Sequence, residues 1–226
     1  MNNWLQSLSP WLSVPQQSII GPQTVETTNN FTYLGCTIFH NNSCNDDIKR
    51  RIAIATSTMS KLSSVWRSPC LSLNNKVRLY DSLVISIVTY SAASWTLTKA
   101  QQLRLNAFNT KALRRILGIR WHDRVTNTEV YARTGQHPLT TTIRKRRLGA
   151  FGHICRLPPG TQGIDILSSS APASWWRPRG RPPLRWTYQI FEDIQLSHDE
   201  AVAATGDREG WRALIRDATR TTTLAT

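Results

Sequence analysis

A chain of 226 residues in which 40% of side chains are hydrophobic is long enough to bury a core and too apolar to be a disordered tail. Its formal net charge of +14 points to a polyanionic partner, nucleic acid first and an anionic membrane surface second. Cys36, Cys44, Cys70 and Cys155 are irregularly spaced, which excludes the framework of a small secreted disulfide domain and fits a reducing, intracellular setting.

Residues 1–30 read as a poorly defined lead-in, and MNNWLQSLSPWLSVPQQ lacks the basic start and sustained apolar core of a signal peptide. Phe31, Tyr33, Cys36, Ile38 and Phe39 form a β-rich run broken at Gly35 and closed by Asn41, Asn42 and Ser43, as one strand or hairpin edge. Asn45 is a suitable N-cap for a helix in which Ile48, Ile52, Ala55, Met59, Leu62 and Trp66 recur on one stripe and Lys49, Arg50, Arg51 and Lys61 fall mostly elsewhere. Asp46 and Asp47 open it in a polar setting, where acids favour the positive end of the helix dipole. After Ser68-Pro69-Cys70, Ser72 or Asn74 can cap a second helix running to about Trp95, with Val77, Tyr80, Val84, Ile87, Ser91 and Trp95 down one side. The apolar stretch Leu83–Trp95 is interrupted by polar residues and falls short of the roughly 20 residues a spanning helix requires, so no membrane span is expected.

A third helix from about Thr98 to Gly118 carries Leu105, Phe108, Ala112, Ile116 and Ile119. Thr126 caps a short helix ended by Gly135 and Pro138, and Leu139–Leu157 forms a strongly basic helix with Ile143, Leu148, Phe151 and Ile154 inward. Residues 158–183 are rich in Pro, Gly, Ser and Ala and read as an exposed linker that divides the chain. Beyond it Trp186, Ile190 and Ile194 share a face, with Glu192 and Asp193 as a solvated pair. Asp207 caps a last helix with Trp211, Leu214, Ile215 and Ala218 on one side; this segment is too small to fold alone and is expected to pack on the earlier helices or on a partner. The expected fold is mainly α, with a short N-terminal β element, a helical bundle and a small C-terminal helical segment. The expected divisions are 1–30, 31–135, 136–157, 158–183 and 184–226.

Residues 101–185 hold sixteen Lys and Arg against three acids, whereas 186–226 hold four against seven. Candidate phosphate contacts are Arg144, Lys145, Arg146, Arg147 and Arg156, with Arg114, Arg115, Arg120 and Arg124 from preceding elements. Four consecutive cations span more than one helix face, so they do not all address one groove. Such a tract also suits a nuclear import address. Arg177, Arg179 and Arg181 in RPRGRPP are similar to an AT-hook, an extended Arg-Gly-Arg that lies in a narrow minor groove, and Trp175 and Trp176 beside it can stack on bases or anchor the loop. Cys36, His40 and Cys44, or His153 and Cys155, fall short of a zinc set, since no C-x-x-C pair exists. His122 and Asp123 suggest a base and its orienter, but no nucleophile lies near in sequence. No catalytic, metal or cofactor residue is assigned.

The blocks FTYLG (31–35), KVRLYDSLVISIVTYSAASW (76–95), ALRRILGIRWHDRVTNTEVYARTG (112–135), RRLGAFGHICRLP (146–158), RGRPPLRW (179–186) and DREGWRALI (207–215) occur in one order. Together they resemble the C-terminal part of the reverse transcriptase of non-LTR, LINE-like retrotransposons. The resemblance implies a primer-grip-like Tyr33, Leu34 and Gly35, followed by thumb-like helices. It also implies a palm with two adjacent metal-binding aspartates before the F-x-Y-L-G segment, where Glu26 is the only acid. The expectation is therefore a nucleic-acid-binding fragment that grips template and primer and is not itself an enzyme. Its expected partners are an RNA–DNA hybrid, RNA or DNA and the upstream palm, with no membrane and no cofactor, in an intracellular, nuclear setting. The alternatives are a domesticated chromatin adaptor acting through the hook-like segment, and a relic without function.

Overall fold

The computed structural model describes residues 18–20, 23–25, 28, 30–33, 35–39, 43–161, 163, 164, 167 and 185–220. They divide into two units, 1–44 and 45–226. In the first, β1 (Ser18–Ile20) pairs antiparallel with β2 (Gln23–Val25), and β3 (Asn30–Tyr33) with β4 (Cys36–Phe39). The expected β run is thus a hairpin, with Tyr33 opposite Cys36. Gly35 adopts a φ of +76° in the turn, a left-handed conformation glycine reaches without steric cost.

Among its described residues the second unit is helix, turn and connecting segment: α1 (Asn45–Lys61), α2 (Ser63–Arg67), α3 (Leu73–Tyr80), α4 (Ser86–Val88), α5 (Lys99–Leu117), α6 (Asn127–Thr134), α7 (Leu139–Cys155), α8 (Trp186–Ile194), α9 (His198–Ala204) and α10 (Arg208–Arg220). Among the described residues no helix is long and apolar enough to cross a membrane. The mainly α architecture matches the expectation from periodicity. Ile48, Ala55, Met59 and Trp66 are buried as one stripe, and the Trp66 indole donates to the Met59 carbonyl at 3.0 Å.

Local chemistry sets most helix ends. Ser72, Thr98 and Thr126 accept hydrogen bonds from backbone N–H groups three residues on, while Gly118 and Gly135 end α5 and α6 at left-handed φ. At Thr98 the box is complete, because the Gln101 side chain returns a bond to the Thr98 N–H at 2.8 Å. Thr98→Ala is expected to lower the unfolding free energy by about 1 kcal/mol, with Thr98→Ser close to neutral in urea titration. Ser197 and Glu200 form the same box at the head of α9, a helix that apolar periodicity alone does not reveal.

The second helix does not run to Trp95. A π turn at Asp81–Ile85 links α3 to α4, and helix ends at Val88. The wider turn shifts the buried side beyond Val84, so Val88 and Ala92 are buried where uniform spacing places Ile87 and Ser91. Ser91 then turns left-handed (φ 57°), and a short 3-10 turn, Ala92–Ser94, leads to an extended Trp95.

Helix α5 sits centrally against α1, α2, α3, α6 and α7. Tyr80 is fully buried against it, donating to Asn109 Oδ1 at 2.7 Å, and burial keeps its phenol protonated far above the ordinary range. Helix α7 is covered on two sides, by α5 and the 92–94 turn and by α8 and α10. The C-terminal segment therefore packs on the earlier helices, with Leu148, Phe151, Ile190, Ala201, Trp211 and Ile215 forming one apolar cluster.

Candidate nucleic-acid interface

The cations expected to contact phosphate separate into two groups. Arg147 is only 5% exposed: its guanidinium pairs with Asp193 and donates to Gln189 Oε1 at 2.8 Å. Arg144 Nε lies 2.9 Å from the other Asp193 oxygen, and its terminal nitrogen donates to the Ala218 carbonyl. Arg146 donates to the Thr89 carbonyl at 2.8 Å, Arg156 to the Thr205 carbonyl at 3.0 Å, and Arg114 to the Val125 carbonyl at 2.7 Å. These five hold one element to another. The four consecutive cations do diverge: Arg147 is buried and Arg144 half-buried, while Lys145 is exposed and Arg146 is exposed even as it bonds to the Thr89 carbonyl.

Asp193 is correspondingly no solvated residue. Its carboxylate is 10% exposed and joins α8 to α7, while Glu192 beside it faces solvent. The signal was present in the sequence, because Asp193 follows Ile190 by three residues and Trp186 by seven, the spacing of the buried face. Arg147 likewise falls between Ile143 and Phe151 at intervals of four, although the run of cations hides it. Gln189 was not anticipated: it accepts from Leu97 N–H at 3.0 Å and donates back to the Leu97 carbonyl, clamping α8 to the strand-like segment after Trp95. Trp186 adds a bond from its indole to the Ala93 carbonyl at 2.7 Å.

The Asp46-Asp47 pair also splits. Asp46 is exposed and pairs with Lys49 at 2.9 Å. Asp47, 1% exposed, is not solvated: it accepts from the Trp95 indole at 3.1 Å and Ser91 Oγ at 3.3 Å and lies 3.5 Å from Arg51 Nε. The two carboxylates face different surroundings, one solvent and one the interior.

The second group of cations faces water. On α5, Arg115 is joined by Arg104 and Lys111, which were not among the expected contacts; the three stand at intervals of seven and four, hence on one side, and all are exposed. Residues 99–117 contain no acid. Beyond Gly118 a 3-10 turn, Trp121–Asp123, is flanked by exposed Arg120 and Arg124. The Asp123 carboxylate is engaged locally, accepting from the Arg120 N–H at 2.6 Å and lying 3.4 Å from His122 Nε2. Trp121 is 92% exposed, which sequence reading missed; its position between Arg120 and the polar run His122-Asp123-Arg124 was the available signal.

Gly35 occupies the hairpin turn next to Tyr33, and Leu34 lies outside the described residues. So do Arg177, Arg179 and Arg181 of the hook-like segment, Trp175 and Trp176 beside it, and His40. Among the described residues no three His, Cys, Asp or Glu side chains gather as metal ligands would, and no disulfide joins the four cysteines. His153 projects exposed from α7.

No family model matches the chain, and no solved structure does. Among curated proteins, the chain is similar to a Caenorhabditis elegans protein whose name describes it as transposon-derived. The two are 28% identical over 203 residues, which span 85% of this chain and 72% of that one.

Proposed function

We propose that this chain is a nucleic-acid-gripping part of a non-LTR retrotransposon reverse transcriptase, contacting template and primer rather than supplying catalytic groups. Similarity to a transposon-derived protein and the six ordered sequence blocks support the origin. The observation that carries the binding role is the acid-free row of exposed cations on α5, prolonged by Arg120 and Arg124. A fixed row of like charge on a rigid helix sums into a positive potential that attracts a polyanion along it.

The test is fluorescence anisotropy of the full chain against an RNA–DNA primer–template and an A·T-rich duplex of equal length, each across a salt series. Tighter binding to the hybrid, persisting at near-physiological salt, is expected. If Arg104, Lys111, Arg115, Arg120, Arg124 and Lys145 each neutralise one phosphate, log affinity for duplex DNA falls against log salt with a slope of about −5. Changing Lys111 and Arg115 together to Ala should flatten that slope by about 2. Preference for the A·T-rich duplex, abolished by changing Arg179 and Arg181, would favour the chromatin adaptor. Equal, salt-labile binding to both would sink the grip.

A further inference from the structure

We propose that Trp121 is a stacking platform for one unpaired nucleobase of a single-stranded nucleic acid, with Arg115, Arg120 and Arg124 taking the flanking phosphates. The inference deepens the nucleic-acid-binding reading and rests on it.

Trp121 is the most exposed large apolar side chain among the described residues. An indole is among the largest apolar groups a chain can bury, so holding one in water forfeits stabilisation unless something else covers it. Nor is it a loose side chain on a loose loop. The turn closes on itself through Asp123 N–H to the Arg120 carbonyl at 3.2 Å and Arg120 N–H to the Asp123 carboxylate. Both stems are fastened: Ile119 N–H reaches the Arg114 carbonyl at 3.0 Å, and the Arg114 guanidinium grips the Val125 carbonyl and Asn127 Oδ1. Arg124 is held at a φ of 50°, a conformation that side-chain-bearing residues rarely adopt. The contact with His122 is T-shaped, with centroids 5.8 Å apart, and covers little of the indole.

The surroundings select the occupant. An apolar partner surface would bring further apolar contacts, yet the neighbours of Trp121 in the turn are Arg120, His122, Asp123 and Arg124. From Lys111 to Arg124 there are five cations and one acid, and that acid is engaged with Arg120 and His122. An aromatic face set among arginines is the arrangement that binds single strands, each base offering a π face beside a phosphate.

The test compares the full chain with Trp121→Ala and Trp121→Phe, using an unstructured single strand of about 12 nucleotides and a blunt duplex of the same length. Trp121→Ala should bind the single strand about tenfold more weakly, with Trp121→Phe within about threefold of wild type. The salt slope, the duplex affinity and the melting temperature should all stay unchanged, because the change removes no charge and almost no internal contact. Equal single-strand binding by Trp121→Ala and wild type would overturn the platform. Equal loss on both probes, or a drop in melting temperature, would also overturn it by assigning Trp121 to general docking or to the fold. If wild type binds neither probe, the nucleic-acid reading itself fails; if it binds both and Trp121 matters to neither, this inference alone fails.

Discussion

Alanine at Gly152 is expected to lower the unfolding free energy by about 3 kcal/mol, at the upper end of what over-packing a core costs. A Cβ there would stand 2.2 Å from Nε1 and 2.6 Å from Cδ1 of Trp211. The ring cannot yield: Trp211 is buried, tilted against Phe151 with centroids 5.8 Å apart, and donates to the Leu148 carbonyl at 3.1 Å. Gly149, three residues earlier on the same helix, supplies the control. A Cβ added there meets nothing within 4 Å, and alanine favours a helix over glycine by about 1 kcal/mol, so Gly149→Ala should be stabilising. In a Trp211→Leu background Gly152→Ala should lose most of its cost, since the two positions share one contact. Urea unfolding followed by circular dichroism reads all four variants; Gly152→Ala and Gly149→Ala of equal stability would show that α10 does not seat on α7 as described.

The second large effect is expected at the ion pair between α7 and α8. Asp193→Ala removes the carboxylate that serves both Arg144 and Arg147, leaving the nearly inaccessible Arg147 charge uncompensated. Breaking one side of a buried pair costs about 3–5 kcal/mol, whereas replacing both sides by apolar residues of similar volume is often neutral. Asp193→Ala should therefore be severe and the double change Arg147→Met with Asp193→Leu much milder. Lys145→Ala, on an exposed side chain between them, should stay within about 0.5 kcal/mol of wild type. If Arg147→Ala proves as stable as Lys145→Ala, the internal assignment is wrong. A practical consequence is that changing residues 144–147 together to Ala cannot separate grip from fold; substitutions on α5 can.

These two contacts also show why motif blocks far apart in the chain belong together. Gly152 of RRLGAFGHICRLP meets Trp211 of DREGWRALI, and Arg147 of the first block reaches the Trp95 carbonyl at the end of KVRLYDSLVISIVTYSAASW. Trp186, which closes RGRPPLRW, bonds to Ala93 in the same segment. Read in one dimension, the arginines in these blocks look like a reserve of charge for phosphate. In three dimensions several of them are the fasteners of the unit, and a further row of charge faces solvent on α5 and the Trp121 turn.

The amino-acid sequence by itself determined the mainly α character, the buried stripe of α1, and the ends of α5 and α6, because caps and helical periodicity act over three or four residues and need no distant partner. The tertiary structure decided what each charged side chain does. Helix gives way after Val88 where Asp47 takes the Trp95 indole and Arg146 takes the Thr89 carbonyl. Arg147 and Asp193 are 46 residues apart, and although each lies at the spacing of its helix's buried face, that spacing does not say that the two meet. A buried charge is tolerated only where a partner meets it, and that meeting exists only once α7 and α8 are packed.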